Sequence, residues 1–299
     1  MKILISGATG FIGKHLAEKL LHESIIVYSI TRPSTDIKKL HKKVRNYTFD
    51  NNVDNLISFM EKEKFDGVIH LASLFLAQHK PENIQSLLDS NLFLGTALLE
   101  ASAKSNVPWF INTGTFWQHY KNKNYSPVNL YAATKQAFEV IAQYYIETTS
   151  INFVTIKLCD TFGSDDTRQK IFNLWARTAK TGESIDMSLG KQSINISHID
   201  NVVEGYLKMI QALSKDKKRA LCGKSFAVTS SQVLSLRSLA SLFTTVSGKA
   251  LKINWGAKKY RDREVMKPWN KGVVIPGWKE VTSLEDGIQK TLSSLHKES

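Results

Sequence analysis

Tyr131 and Lys135 stand four residues apart in the stretch Tyr131-Ala132-Ala133-Thr134-Lys135. On a helix, residues at this spacing share one face. A nearby ammonium group stabilises tyrosinate and lowers the phenol pKa towards the working pH, so the tyrosine can give or take a proton at a carbonyl or hydroxyl group. The pattern also arises by chance in helices. Its interpretation as a catalytic pair therefore depends on the elements around it.

A hydroxyl group ends the apolar run that precedes this helix. Thr113 closes the predicted strand 109–114, and ligands of open α/β sheets bind outside the carboxyl ends of the strands. A hydroxyl there can hydrogen-bond a reacting oxygen and fix its position. Thr115 is the rival for this role and a candidate substrate contact. An ordinary threonine at a strand end is the alternative.

A glycine-rich turn follows the first predicted strand, residues 2–6, and opens an amphipathic helix over 13–22. Such a turn lets the backbone approach a pyrophosphate, while the helix N-terminus offers N–H groups and a positive dipole end. The position near the N-terminus, after a strand and before a helix, is what a dinucleotide site requires. A glycine turn without a ligand is the alternative. The candidate cofactor contacts in this turn are Gly7, Thr9, Gly10, Phe11, Ile12 and Gly13.

The end of the second strand selects between the two nicotinamide dinucleotides. An acidic residue there binds a ribose 2′-hydroxyl, whereas an arginine accommodates a 2′-phosphate. Arg32 stands there and no acid does, which predicts NADP(H) in preference to NAD(H) unless Arg32 is an ordinary surface residue. Asp50 and Asn51 follow the third strand, at the expected adenine edge. Leu71 and Ala72 end the fourth, beside the expected cofactor path, and all four could equally be turn or core residues.

The elements that must position these residues alternate between strand and helix up to about residue 160. Such alternation is typical of a parallel sheet with helices on both faces. We expect an α/β protein with a Rossmann-type doubly wound parallel sheet in residues 1–162 and a smaller mixed α/β substrate lobe in residues 163–299, with some segments interleaved. The predicted strands are 2–6, 25–30, 44–49, 67–72, 109–114, 151–158, 193–198, 224–228 and 251–255, and the predicted helices are 13–22, 52–63, 83–104, 130–148, 168–180, 200–213, 235–247 and 284–295.

The composition narrows the possible partners and the compartment. The net charge of +13 suggests nucleic acid, but the lysines are spread along the chain, so an anionic phosphorylated substrate is the better match. No apolar run is long enough to span a membrane. Cys159 and Cys222 form no CxxC motif, which fits the reducing cytoplasm. His70, His119 and His198 lack the spacing of a metal site, and none is expected.

Together these segments resemble the extended short-chain dehydrogenase/reductase family, the NAD-dependent epimerase/dehydratase group, over nearly the whole chain. The resemblance implies that Tyr131 and Lys135 are its catalytic pair and also contact the cofactor, and that Thr113 is its catalytic hydroxyl. It also implies a homodimer formed through the helices 83–104 and 130–148. The other matching segments are GATGFIG, IHLA, Asn91-Leu92-Phe93-Leu94-Gly95-Thr96, Pro276-Gly277-Trp278-Lys279 and Ser283-Leu284-Glu285-Asp286-Gly287.

Departures from the family pattern bear on the reaction. The 4,6-dehydratases carry Asp-Glu after the catalytic threonine, whereas Gly114 and Thr115 stand here, so dehydration is not expected. Asp160 replaces the asparagine of N-x-Y-G. Ile194 and Asn195 stand where an arginine–aspartate pair is usual in the family, so the substrate contacts of that pair are not expected here.

Within the family, the chain is most similar to bacterial sugar-nucleotide 4-ketoreductases of the CDP-abequose and CDP-paratose synthase type. The resemblance implies NADPH-dependent reduction of the C4 keto group of a nucleotide-linked 6-deoxy or 3,6-dideoxy hexose in deoxysugar and O-antigen biosynthesis. Arg168, Arg261 and Arg263 are candidates for binding the substrate pyrophosphate, with solvated surface arginines as the alternative. An NAD-dependent 4-epimerase is the second hypothesis, and a dinucleotide-sensing regulator without turnover is the third.

Overall fold

The computed structural model describes residues 1–168 and 170–295. Its strands are β1 (Lys2–Ser6), β2 (Ile26–Thr31), β3 (Arg45–Thr48), β4 (Gly67–His70), β5 (Trp109–Thr115), β6 (Asn152–Leu158), β7 (Asp160–Phe162), β8 (Ser184–Met187), β9 (Ser193–His198), β10 (Ser225–Val228), β11 (Val233–Ser235), β12 (Lys252–Trp255) and β13 (Val273–Val274). Its helices are α1 (Phe11–His22), α2 (Val53–Glu63), α3 (Ile84–Leu88), α4 (Leu94–Lys104), α5 (Leu130–Thr148), α6 (Ile171–Thr181), α7 (Ile199–Lys215), α8 (Leu236–Ser247) and α9 (Leu284–Leu295).

The main sheet has eight parallel strands in the order β13-β10-β6-β5-β4-β1-β2-β3. The chain moves outward from β1 to β3 on one side and from β4 to β6 on the other. The strand order therefore reverses between β1 and β4, and ligands of such sheets bind in the crevice at this point. The Rossmann-type doubly wound fold predicted from the alternation is confirmed.

Helices cover both faces of this sheet with separate apolar cores. On one face α1 and α7 pack through residues such as Leu16 and Val202. On the other face α2, α4 and α5 pack through Leu56, Leu98 and Phe138. Strands buried on both faces carry nearly continuous apolar runs, which explains why the sequence signals the strands of the sheet centre so clearly.

A smaller lobe has its own core of aromatic and aliphatic side chains, among them Phe162, Trp175 and Phe243. Its strands form a three-stranded sheet, β11-β9-β7, and a two-stranded one, β12-β8. From the second half of the chain, β10 and β13 join the main sheet and α7 packs against it. The boundary at residue 162 stays a prediction.

The helix predicted over 83–104 is interrupted in the structure. A π-helical turn, Asp89–Phe93, separates α3 from α4. Asn91 within it is buried, and its Oδ1 accepts a hydrogen bond from the Leu74 N–H at 2.7 Å. Its Nδ2 donates to Thr134 Oγ1 of α5 at 2.9 Å. The turn therefore lets one polar side chain reach inward and join α5 to the segment after β4.

Candidate active site

The glycine turn lies at the carboxyl edge of the sheet, between β1 and β4. Gly7 has φ +78°, and a Cβ there would approach the Ala72 nitrogen to 2.7 Å. A Cβ on Gly13 would overlap the Gly7 carbonyl. Gly10 precedes α1 without a side-chain cap, so the first N–H groups of the helix face this edge. This close, side-chain-free backbone fits the pyrophosphate of a dinucleotide.

A cavity of about 590 Å³ extends from this turn along the carboxyl edge. It brings together twelve of the residues predicted from the sequence, drawn from the ends of β1, β4 and β5, from the start of α1, from α5 and from the smaller lobe. Those residues are Gly7, Gly10, Phe11, Ile12, Gly13, Leu71, Thr113, Thr115, Tyr131, Lys135, Arg168 and Arg261.

Six predicted residues lie outside the lining of this cavity: Thr9, Arg32, Asp50, Asn51, Ala72 and Arg263. Arg32 is exposed directly after β2. The Asp50 carboxylate accepts hydrogen bonds from the Asn52 N–H and the Asn55 side chain, so it supports the start of α2. The Ala72 N–H donates to Ser6 Oγ at 3.1 Å. These contacts explain the local roles of Asp50 and Ala72 without a ligand.

Tyr131 presents a protonated phenol to the cavity. Burial raises the pKa of Tyr131 to about 12, although the Ser73 hydroxyl and the Arg168 guanidinium act to lower it. The sequence-based expectation of a lowered phenol pKa is wrong for this structure, because burial outweighs the neighbouring donors and cation. At neutral pH the tyrosine therefore holds a proton that it can donate.

Lys135 is buried on the same helix face as Tyr131. Burial lowers the pKa of Lys135 to about 8, against the opposing effect of the Glu139 carboxylate one turn further along α5. His70 lies nearby at the end of β4, and burial together with Lys135 lowers the pKa of His70 to about 3. A neutral imidazole beside Lys135 adds no second full charge to this part of the site.

Thr113 is hydrogen-bonded to Tyr206, a residue that the sequence motifs did not indicate. Its Oγ1 lies 2.6 Å from the hydroxyl of Tyr206, a fully buried residue of α7. Burial raises the pKa of Tyr206, so this phenol is also protonated. The available signal was a tyrosine on the apolar face of an amphipathic helix, where its hydroxyl needs a partner. Thr115, the rival, accepts from the Trp117 N–H at 3.3 Å.

Two of the three predicted arginines reach the cavity, each already paired with a carboxylate. Arg168 Nε lies 2.7 Å from Asp166, and Arg261 Nε lies 3.0 Å from Glu264. Arg263 lies elsewhere, because its guanidinium donates to Ser126 Oγ at 2.9 Å and covers the ring of Tyr120.

A further cation and an acid in the cavity were not predicted as site residues. Lys170 Nζ lies 3.2 Å from Asp160 Oδ1, and both residues line the cavity. Asp160 is the acid that replaces the family asparagine. Its pairing with Lys170 limits the repulsion that a lone carboxylate would exert on an anionic ligand.

The three histidines considered as metal ligands have other partners. His70 Nδ1 lies 2.7 Å from Ser6 Oγ, His119 Nε2 lies 2.9 Å from Lys157 Nζ, and His198 Nδ1 lies 3.3 Å from Asp200. Within residues 1–168 and 170–295, no group of three or more potential ligands is arranged to hold a metal ion. In the same part of the chain, no helix combines the length and apolarity that crossing a bilayer requires.

The parallel sheet, the glycine turn at its switch point and the adjoining cavity define a Rossmann-type dinucleotide-binding protein. The sequence profile of the NAD dependent epimerase/dehydratase family matches residues 3–223. The chain therefore belongs to this family.

Two similar relatives extend over almost the whole chain. CDP-abequose synthase of Salmonella muenchen is 27% identical over 297 residues, covering 98% of this chain and 97% of the relative. CDP-abequose synthase of Salmonella typhimurium is 28% identical over 302 residues, covering 98% of both.

Solved structures of similar fold include two 4-epimerases. The UDP-glucuronic acid 4-epimerase of Bacillus cereus, in complex with UDP-glucuronic acid and NAD, has a TM-score of 0.85 at 20% identity and covers 100% of both chains. The UDP-glucose 4-epimerase of Thermotoga maritima, with UDP-glucose, has a TM-score of 0.84 at 18% identity, covering 100% of this chain and 99% of the other. At these identities the similarity establishes the fold.

Proposed function

We propose that this protein is a sugar-nucleotide 4-ketoreductase. Its substrate would be a nucleotide-linked 4-keto-6-deoxy or 4-keto-3,6-dideoxy hexose, reduced with NADPH in deoxysugar and O-antigen biosynthesis. The observation that carries the proposal is the meeting of Thr113, Tyr131 and Lys135 in one cavity beside the glycine turn, with the phenol protonated. The similarity to two CDP-abequose synthases supports the choice of substrate class.

The cofactor would lie across the glycine turn, with Lys135 holding its nicotinamide ribose. When bound, NADPH supplies hydride to the C4 carbon. Tyr131 donates its proton to the oxygen that develops negative charge there, and its high pKa keeps that proton available at neutral pH. Tyr206 can donate to Thr113 Oγ1, which leaves the Thr113 hydrogen free to bond the substrate oxygen.

Binding of the substrate pyrophosphate needs positive charge near the cavity. Arg168, Lys170 and Arg261 line it and are the proposed contacts. Each is paired with a carboxylate, so an incoming phosphate would share or replace that partner. Among the predicted arginines, Arg263 is the weakest candidate because it lies outside the cavity lining.

The decisive experiment supplies NADPH and a panel of 4-keto-6-deoxy sugar nucleotides that differ in the base, and follows NADPH absorbance. We expect rapid consumption with one member. Tyr131→Phe should lower the rate by about 10²- to 10⁴-fold, because it removes the proton donor while keeping the ring. Undiminished activity of Tyr131→Phe would contradict the assigned role, and undiminished biological activity without turnover would favour a regulator.

Arg32 supports NADPH as the preferred cofactor, because its exposed guanidinium follows β2 at the edge where a 2′-phosphate would lie. Arg32→Ala should raise KM for NADPH by about tenfold or more, through loss of a charge-assisted contact, and leave KM for NADH nearly unchanged. Lys38→Ala, on the exposed turn nearby, is the control for a general loss of positive charge. Equal effects on both cofactors would argue against a 2′-phosphate contact.

A 4-epimerase is the second candidate, favoured by the epimerases among the similar folds. The same three residues could remove and return hydrogen at C4 with tightly held NAD. NAD released from the purified protein on denaturation, together with no net NADPH consumption, would favour this reaction over the reductase.

We also propose a cytoplasmic homodimer. Val140 and Tyr144 lie one turn apart on α5 and are 66% and 64% exposed. Phe93, between α3 and α4, is also exposed. Exposed apolar side chains on adjoining helices suit contact with a second copy of the chain.

The proposed compartment rests on the cysteines. Cys159 and Cys222 are free thiols, which suits a reducing compartment such as the cytoplasm.

A further inference from the structure

Two segments that stack on each other contribute one part of the cavity lining, which we call the wall. We call residues 116–122 the aromatic turn and residues 261–270 the strap. The pairs that join them are Arg261 over the Trp117 ring at 5.4 Å, Arg263 over the Tyr120 ring at 4.3 Å, Trp269 on His119 with ring centroids 4.2 Å apart, Trp269 edge-on to Phe116 at 5.1 Å, and the Asn270 N–H to Asn122 Oδ1 at 3.0 Å.

His119 is at the centre of this stack, and both of its ring nitrogens are occupied. Nδ1 lies 3.1 Å from the Lys123 carbonyl, which can only accept a hydrogen bond, so Nδ1 carries the hydrogen. Nε2 then accepts from the Lys157 ammonium at 2.9 Å. Burial and the Lys157 charge lower the pKa of His119, in agreement with a neutral ring. The imidazole therefore offers its face and carbon edge, and no free polar atom, to its surroundings.

Lys157 connects this wall to the helix that carries the catalytic pair. It lies in β6, and its Nζ is 3.3 Å from Glu139 Oε2 of α5, with both side chains nearly buried. Glu139 also accepts a hydrogen bond from Gln118 of the aromatic turn at 2.8 Å. A buried charge is kept only with such partners, so Lys157 has little freedom to move away from His119.

The wall thus presents aromatic carbon to the cavity through Phe116, His119 and Trp269. C–H groups pack well on aromatic faces, whereas a hydroxyl pressed there would lose water without gaining a partner. We propose that this wall determines specificity by packing against a deoxygenated carbon of the substrate sugar, and that Lys157 is a positioning residue that holds His119 for it. The inference rests on the proposed function and deepens it.

The test compares two substrates in the oxidation direction with NADP⁺: a nucleotide-linked hexose and its 6-deoxy counterpart on the same base. Because apolar sites reject an added hydroxyl only moderately, we expect kcat/KM to favour the 6-deoxy sugar by about 10- to 100-fold. Trp269→Ala should lower kcat/KM for the 6-deoxy sugar by about tenfold, mainly through KM, and reduce the preference. Trp255→Ala is the matched control, since Trp255 packs on Arg237 in the smaller lobe and should leave the preference intact.

The positioning role of Lys157 is tested by the same ratio of kcat/KM for the 6-deoxy sugar to kcat/KM for the hexose. Lys157→Met should reduce the preference for the 6-deoxy sugar, whereas Lys157→Arg, which keeps the charge and donors, should restore most of it. If Lys157→Met weakens activity on both sugars equally and the preference stays, Lys157 has a structural role only. If Trp269→Ala also leaves the preference unchanged, the wall does not select the sugar.

Calorimetric binding of the same two sugar nucleotides separates failure of this inference from failure of the proposed function. Binding of neither would overturn the proposed substrate class itself. Binding and turnover of both with equal constants would overturn only the role of the wall.

Discussion

Three hydroxyl groups at the carboxyl edge of the sheet are arranged so that each has a defined task. Tyr131 faces the cavity with a proton that burial keeps in place. Thr113 lies at the end of β5, and Tyr206 supports it from α7. A hydroxyl has one hydrogen and two lone pairs, so a donor beneath Thr113 decides in which direction the Thr113 hydrogen points. Either hydroxyl of the Thr113–Tyr206 pair can be the donor, and when Tyr206 donates, the Thr113 hydrogen is left for the substrate oxygen of the proposed reaction.

We predict that Tyr206→Phe lowers kcat/KM for ketone reduction by about tenfold, because Thr113 is then free to turn its hydrogen away from the substrate. The KM for NADPH should not change. Steady-state kinetics with both reactants varied would measure this. Tyr145→Phe is the control, since it removes a 2.9 Å bond to Glu100 outside the cavity. Equal losses in the two variants would show that only stability is affected.

At the scale of single residues, spacing and strand ends were sufficient to predict that Thr113, Tyr131 and Lys135 line one cavity, and their catalytic roles stay a prediction. Tyr206 lies 93 positions from Thr113 in the chain, and nothing near it in sequence marks it as part of a site. The direction of the Tyr131 pKa shift was also not predictable, because it depends on how deeply the folded chain buries the phenol. Lys170 and Asp160 became recognisable as a pair only through their 3.2 Å contact.

The helix α5 acts as a unit that sets the charge of Lys135. Its first turn carries Tyr131, its second carries Lys135, and Glu139 follows one turn later. Burial disfavours the ammonium form of Lys135 and the Glu139 carboxylate favours it. Glu139 is shared with Lys157 of β6 and with the aromatic turn. The neutral His70 packs on the other side, next to Phe138 of the same helix.

This arrangement predicts a pH dependence. Because the pKa of Lys135 is lowered to about 8, the ammonium is present below that pH and is lost above it. Ketone reduction should therefore fall as the pH rises through about 8. Glu139→Gln removes the attraction that raises the pKa of Lys135, so the fall should begin at a lower pH. Rate profiles of kcat with NADPH saturating would show the shift.

Glu147→Gln is the control for this experiment, since Glu147 lies at the far end of α5 and accepts an exposed hydrogen bond from Gln143. Its profile should match that of the unaltered protein. If the rate of the Glu139→Gln variant falls at the same pH as that of the unaltered protein, a group other than Lys135 titrates.

At the scale of elements, the sequence predicted the order and approximate bounds of the strands in the centre of the sheet, because buried parallel strands are continuously apolar. It missed the π-helical turn at Asp89–Phe93, since the apolar pattern continues across it. Asn91 within that turn bonds to residues distant in sequence, and these contacts are not visible in the local pattern. It also did not place β10 and β13 in the main sheet, because both are short and their pairings, β10 with β6 and β13 with β10, join segments distant in sequence.

Over the whole molecule, the positive charge and the cavity suit an anionic substrate. The chain has 40 lysine and arginine residues against 27 aspartate and glutamate residues. Such an excess raises the local concentration of phosphorylated ligands and speeds their encounter, and it weakens as salt is added. Arg168, Lys170 and Arg261 of the cavity lining are each paired with a carboxylate, so these three cations add little net charge there and the excess serves encounter more than recognition.

The exposed apolar face of α5 makes the assembly testable. Val140 is 66% exposed at the middle of a 19-residue helix whose opposite face covers the sheet. Val140→Asp would place a charge in the proposed helix–helix interface, where it would be desolvated without a partner. We expect the measured mass to fall from that of two chains to that of one, 33.7 kDa, in light scattering coupled to gel filtration.

Val281→Asp is the matched control, because Val281 is 60% exposed in the segment before α9 and far from the proposed interface in sequence. It should leave the mass unchanged. The cavity residues Tyr131 and Lys135 share α5 with Val140, so loss of the dimer should also loosen the first turns of that helix and reduce kcat more than KM. A protein that is monomeric before any substitution would exclude this interface, whereas a Val140→Asp variant that remains dimeric would place the contact on another surface.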